Sequence, residues 1–169
     1  MTSLDLSRTL VVGLGVTGRS VTQALRSRGH VVTLADDRPD AVRDAGERFG
    51  LQVFDSSQHS VLRELVHAAT SVVPRPGVPR HHAVYPLADE LGRAVLSELD
   101  LGAAWDDRPV AAITGTNGKT IVTTLVTTML RRSGVLAVAV GNTDTPLVEA
   151  IDAENPRPEA FVVEASSFR

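Results

Sequence analysis

Short apolar runs alternate along the chain with longer stretches in which apolar residues recur every three or four positions. That is the pattern of strands alternating with amphipathic helices. Residues 9–12, 31–35, 51–54, 71–73 and 94–96 read as the strands of a first group. Between the first two, Val21, Ala24 and Leu25 mark one face of a helix that Gly29 stops. Residues 39–49 read as a polar helix with Pro39 in its first turn and Gly50 after its end. Residues 61–69 and 81–91 read as two more helices, and residues 98–105 as another. Such alternation predicts a doubly wound parallel sheet, here one domain over residues 1–105. The charged, proline-ended Asp106-Asp107-Arg108-Pro109 reads as a linker, and a second group starts at Val110. It holds a strand to Ile113, a helix period at Val122, Leu125, Val126, Met129 and Leu130, a strand over 136–140, a short helix over 146–151, and a strand over 160–163 that leads to Glu164.

Two glycine-rich loops sit where these groups change from strand to helix. Gly13-Leu14-Gly15-Val16-Thr17-Gly18 follows the first strand, opens a helix, and is followed after the second strand by the acidic pair Asp36-Asp37. That context makes the G-x-G-x-x-G pattern a nucleotide-binding signal, since small residues let backbone approach phosphate at a helix N-terminus. The second loop is Gly115-Thr116-Asn117-Gly118-Lys119-Thr120. Its N–H groups can surround phosphate oxygens, Lys119 can reach terminal phosphates, and the Thr120 hydroxyl can ligate Mg²⁺. The generic G-x-x-x-x-G-K-[ST] loop would place a glycine at Ile113, so this loop is a shorter variant. A P-loop ATPase also needs an acidic residue at the end of a neighbouring strand to hold the metal, and Glu164 stands at such an end.

Composition narrows the partners. A net charge of −3 and 4% aromatic residues leave no electrostatic or stacking footprint for nucleic acid. No apolar run approaches the roughly 18–20 residues of a membrane helix, and residues 1–5 lack a secretory pattern. With no cysteine, disulfides, thiolate zinc sites and cysteine nucleophiles are excluded. The expectation is a cytoplasmic, monomeric protein acting on small molecules, with no nucleic-acid or membrane partner. His81 and His82 are adjacent and lack further ligands at helical spacing, and Ser166-Ser167 has no G-x-S-x-G turn around it.

Four segments together, Gly13 to Ser20, Gly115 to Thr120, Gly141-Asn142, and Val163-Glu164-Ala165-Ser166-Ser167-Phe168, resemble the Mur ligases. Asn117 and the Glu-x-Ser-Ser-Phe segment point to the D-glutamate-adding branch. The resemblance covers the whole chain but only the first part of such an enzyme. It implies a Rossmann-like α/β domain that binds a uridine nucleotide over residues 1–105, then the first part of a P-loop α/β ATPase domain over 110–169. It further implies ATP and Mg²⁺ as cofactors, and UDP-N-acetylmuramoyl-L-alanine and D-glutamate as substrates. ATP would phosphorylate a carboxylate, and an amine would displace phosphate from the acyl phosphate, an amide ligation of peptidoglycan synthesis. By the resemblance Gly115, Thr116, Asn117, Gly118, Lys119 and Thr120 bind ATP, Lys119 is catalytic, and Thr120 and Glu164 hold the metal. Val16, Thr17, Asp37, Arg38, Gly77 and Asn142 fall at positions that contact the UDP-sugar.

The chain departs from the family at several points. Arg75-Pro76-Gly77 stands where Ser-Pro-Gly is usual, Thr143-Asp144-Thr145 interrupts the usual Gly-Asn-Ile-Gly-x-Pro, Ile121 replaces a Ser/Thr, and Arg169 stands where glutamine is usual. The second group also offers few elements to cover its strands, and the family's later metal ligands and C-terminal domain have no counterpart. The chain therefore reads as a fragment that binds UDP and does not complete ligation alone. Two other readings stay open. A stand-alone NAD-binding oxidoreductase domain would use the first loop and Asp36 but leaves the second loop unexplained. A non-catalytic nucleotide-sugar-binding module would account for the altered loops at Arg75 and Asp144.

Overall fold

The computed structural model describes residues 4–142 and 145–165, so Thr143, Asp144 and the segment from Ser166 to Arg169 lie outside the described residues. The chain forms two compact units, Met1–Glu98 and Leu99–Arg169. That division falls ahead of position 105 because Leu99 and Trp105 pack on the core of the second unit.

In the first unit, β1 (Arg8–Val12), β2 (Val31–Asp36), β3 (Val53–Asp55), β4 (Ser71–Pro74) and β5 (Ala94–Val95) form one parallel sheet in the order β3-β2-β1-β4-β5. The chain builds outward from β1 to β3, then returns to the other side of β1 for β4. The crevice at such a reversal, beyond the carboxyl ends of β1 and β4, is where doubly wound sheets bind ligands. Both faces of β1 are covered, which is why Leu10, Val11 and Val12 form an unbroken buried run. On one face Leu10, Val12, Ala35 and Val72 pack against Leu62 and Val66 of α3 (His59–Ala68) and Val84 and Leu87 of α4 (Val84–Glu90). The other helices are α1 (Val16–Ser27) and α2 (Pro39–Phe49).

Several element bounds differ from their sequence reading, two of them for a visible reason. The fourth helix begins at Val84, three positions after His81. Ahead of it the His82 N–H donates to the Pro79 carbonyl, and the Val84 N–H donates to Nδ1 of His82, so the chain turns before it coils. The third strand lies at Val53–Asp55, and the Asp55 carboxylate accepts the Ser57 N–H and hydroxyl to form the turn into α3.

The second unit carries β6 (Val110–Ile113), β7 (Ala137–Gly141) and β8 (Ala160–Glu164), parallel in the order β6-β8-β7. Val140, Phe161 and Val163 pack on one face with Leu147 and Ile151 from the region of α7 (Leu147–Ala150) and with Leu99 and Trp105 of α5 (Glu98–Trp105). The guanidinium of Arg108 lies 4.7 Å from the centre of the Phe161 ring, pairs with Asp106, and donates to the carbonyls of Ile151 and Pro158. The stretch read as a linker is thus fastened to this unit's core.

The other face of this sheet takes α6 (Lys119–Arg132), and here the helix period misleads. Thr123 and Thr127 are buried, whereas Ile121 is 75%, Leu125 56% and Met129 61% exposed. Val126 and Leu130 do reach the sheet, beside Ala111, Ala137, Ala160 and Val162. Threonines fit over a surface so rich in alanine, and the Thr127 hydroxyl is satisfied by the Thr123 carbonyl one turn back.

Candidate functional site

In the first unit the glycine loop joins β1 to α1 through a turn that only glycine tolerates. Gly13 has φ 88°, and its N–H donates to the Ala35 carbonyl, which keeps the loop against β2. A Cβ on Gly18 would enter the carbonyl oxygen of Gly13, so that glycine sets how closely α1 approaches the turn. Gly15 is the N-cap of α1 and supplies no side-chain cap, leaving the N–H groups of the first turn for a ligand. Val16 is exposed and Thr17 half-buried on that first turn.

Asp36, at the end of β2, is 1% exposed and fully engaged. Its Oδ2 accepts the Leu14 N–H and Arg38 Nη2, and its Oδ1 accepts the Arg38 N–H and Nε. Burial pushes this carboxyl up, but the Arg38 guanidinium and the Leu14 and Arg38 N–H groups outweigh burial and hold it below the usual aspartate range. Asp37, next in the chain, is exposed. Sequence reasoning alone misses this arrangement: Asp36 braces the glycine loop, while Asp37 and half of Arg38 face solvent beside it.

The loop after β4 approaches the same place. The Arg75 N–H donates to the Val12 carbonyl, and the Arg75 side chain lies over Gly13 and Gly15 with its Nη1 against Gly77. The structure therefore brings Val16, Thr17, Asp37, Arg38 and Gly77 to one end of the first sheet. Asn142 belongs to the second unit.

In the second unit, Ile113 is opposite Glu164 in the pairing of β6 with β8, and the Ala165 N–H donates to the Ile113 carbonyl. The phosphate loop leaves β6 immediately after Ile113, so Glu164 flanks its root. Gly115 has φ 148° and Gly118, the N-cap of α6, has φ 75°, conformations that suit glycine. The Nζ of Lys119 donates to the Gly115 carbonyl at 2.7 Å, folding the cation back over the loop. Thr116, Asn117, Gly118 and Thr120 are exposed.

Glu164 is 5% exposed, and its Oε2 has no hydrogen-bond partner among the described residues. A buried oxygen left this way is costly unless something else ligates it. The Asn142 N–H donates to the Glu164 carbonyl, and a Cβ on Gly141 would lie 2.6 Å from that same oxygen. The phosphate loop, Glu164 and Asn142 are thereby gathered at the carboxyl ends of three adjacent strands, an arrangement suited to a nucleotide triphosphate with a divalent cation.

No family model matches the chain. A UDP-N-acetylmuramoylalanine--D-glutamate ligase from Methylococcus capsulatus is 38% identical over 165 residues, covering 96% of this chain and 35% of the relative. A protein of the same name from Desulfosudis oleivorans is 36% identical over 170 residues, again 96% and 35%. Among solved structures, the UDP-N-acetylmuramate:L-alanyl-gamma-D-glutamyl-meso-diaminopimelate ligase from Neisseria meningitides superposes with a TM-score of 0.54 at 19% identity, covering 96% of this chain and 55% of that one. A murein peptide ligase from Psychrobacter arcticus gives 0.52 at 24%, covering 96% and 38%. At those identities the structures speak for the fold alone, which is the α/β fold with parallel sheets read from the sequence. The curated relatives bear out the resemblance to the Mur ligases and to their D-glutamate-adding branch, and the chain spans about 35% of the length of the relatives it matches.

Proposed function

We propose that this chain carries the uridine-nucleotide site and the ATP loop of an ATP-dependent ligase that joins D-glutamate to UDP-N-acetylmuramoyl-L-alanine. In this reading the first unit binds the UDP-sugar, and the second unit, to whose core residues 106–109 are fastened, binds ATP. The observation that carries it is the register of Ile113 with Glu164, which sets a buried carboxyl with an unpartnered oxygen at the root of the phosphate loop. Names of relatives 36–38% identical supply the reaction.

Glu164 and Thr120 fit a hard cation, both being oxygen donors and the former having no partner for Oε2 among the described residues. Mg²⁺ held there would neutralise charge gathering on the transferred phosphoryl group. The residues of the chain do the rest. The N–H groups of Thr116 to Lys119 cradle phosphate oxygens, and Lys119, released from the Gly115 carbonyl, places its charge on the terminal phosphate, where anionic reactants otherwise repel each other. Val16 and Thr17 offer first-turn N–H groups to the diphosphate, Gly77 lets its backbone approach closely, and Asp37 and Arg38 stand where the uridine end would reach. Asn142 contributes to substrate binding from beside Glu164. The reading is of a monomeric, cytoplasmic protein that acts on small molecules.

The NAD-binding reading is disfavoured by Asp36, whose two oxygens are occupied by Leu14 and Arg38 and so leave no acceptor for a ribose hydroxyl. Calorimetric titration of the 169-residue chain with UDP, NADH and ATP plus Mg²⁺ tests the proposal. Binding of UDP and of magnesium ATP, with none of NADH, is the expected result; NADH binding without UDP binding overturns it.

A further inference from the structure

We infer that Arg75 is the anion-holding side chain of the first unit, contacting the diphosphate of a nucleoside diphosphate through its guanidinium. This rests on the reading of that unit as a nucleotide site. Three arginines stand near the glycine loop, and two are already committed. Arg38 is bonded to Asp36, and Arg19 donates to the Leu14 carbonyl. Arg75 alone of the three has no hydrogen bond or ion pair from its side chain to any described residue, and its Nε is buried without an acceptor.

Its position is set by glycine. A Cβ on Gly13 would lie 2.5 Å from Cγ of Arg75, and one on Gly77 would run into Nη1. The side chain thus occupies a groove that exists because both positions lack a Cβ, directly over the loop that precedes the uncapped N-terminus of the 12-residue helix α1. A permanent cation with unsatisfied donors, laid over the loop that leads into a helix end without a side-chain cap, calls for one ligand that accepts from both. A diphosphate does, because a guanidinium binds it through paired N–H groups while the helix end takes a second oxygen. Serine, usual at this position in the Mur ligases, would supply one neutral hydroxyl, so Arg75 shifts recognition from a hydrogen bond toward charge.

The test is calorimetric titration of the 169-residue chain and its R75A and R75K variants with UDP, uridine and inorganic pyrophosphate at two salt concentrations. The unsubstituted chain is expected to bind UDP more tightly than uridine. R75A is expected to lose tenfold or more in affinity for UDP and for pyrophosphate while binding uridine unchanged, which also reports that the variant is folded. R75K keeps the charge without the paired donors and should recover part of the loss. Binding of UDP by R75A as tight as by the unsubstituted chain, or tighter, would overturn the role of Arg75 and leave the nucleotide site standing. Absence of UDP binding by the unsubstituted chain would overturn both.

Discussion

The carboxylate of Asp36 accepts the backbone N–H of Leu14, so the end of β2 holds the glycine loop that follows β1. Replacing Asp36 with alanine leaves that N–H and the inner face of Arg38 without a partner in a buried place. The expected cost is about 2–4 kcal/mol in urea denaturation at neutral pH.

The same pair makes a statement about acid. Because the folded pKa of Asp36 is depressed, its contribution is present above the ordinary aspartate value near 3.8 and is lost as pH falls through the lower folded value. The stability difference between the unsubstituted chain and D36A should therefore be constant at neutral pH and shrink only in strong acid. A difference that already disappears near pH 6 would mean that another group governs it. Stability against pH for both proteins measures this.

The two helical glycines of the first unit differ in kind, and alanine distinguishes them. At Gly18 a Cβ would enter the Gly13 carbonyl oxygen, a backbone atom that cannot swing aside. G18A should cost about 3 kcal/mol and weaken UDP binding by shifting α1 off its loop. At Gly46 in α2 a Cβ would sit 3.6 Å from the Leu51 carbonyl oxygen, an ordinary contact. G46A should stabilise by about 0.5–1 kcal/mol through helix propensity and the reduced freedom of the unfolded chain. Thermal melts of the two variants should move in opposite directions.

What could be read from the chain depended on how local its cause was. Helix α2 is where the sequence places it, because Pro39 starts it and Gly50 ends it with φ 62°, both signals lying within the segment. The glycine loops and Glu164 were legible for the same reason, since each sits at the end of a strand that its own residues define. The exposed face of α6 was not, because Leu125 and Met129 match a helix period as well as Thr123 and Thr127 do. Only the alanine-rich sheet beneath decides between those faces. The bracing by Asp36 and the posture of Arg75 join positions far apart in sequence, and no periodicity reports such contacts.

Helix α6 offers a test of that choice. The hydroxyl of Thr123 is buried with no partner among the described residues. Valine keeps the shape and removes the unsatisfied oxygen, so T123V should be neutral or stabilising by up to about 1 kcal/mol. Leu125, half exposed, should accept lysine within about 0.5 kcal/mol in the 169-residue chain. If α6 instead used its leucine face as core, L125K would cost several times more and T123V would be without benefit. Urea titration of both variants decides it.

Glu164 brings stability and function into opposition. Its Oε2 is buried without a partner among the described residues, while its backbone is tied on both sides, by pairing with Ile113 and by the Asn142 N–H. Glutamine preserves that backbone and the size of the side chain but removes the charge a cation requires. Without divalent ions E164Q should melt at the same temperature as the unsubstituted chain or higher. Adding magnesium ATP at about 100 times its Kd should stabilise the unsubstituted chain by about 2.7 kcal/mol, by mass action. E164Q should lose the part of this that depends on magnesium, while K119A, which removes a phosphate-directed cation, should weaken ATP with or without the metal. An undiminished magnesium response in E164Q would place the metal on other oxygens and leave the orphaned carboxyl oxygen without that explanation.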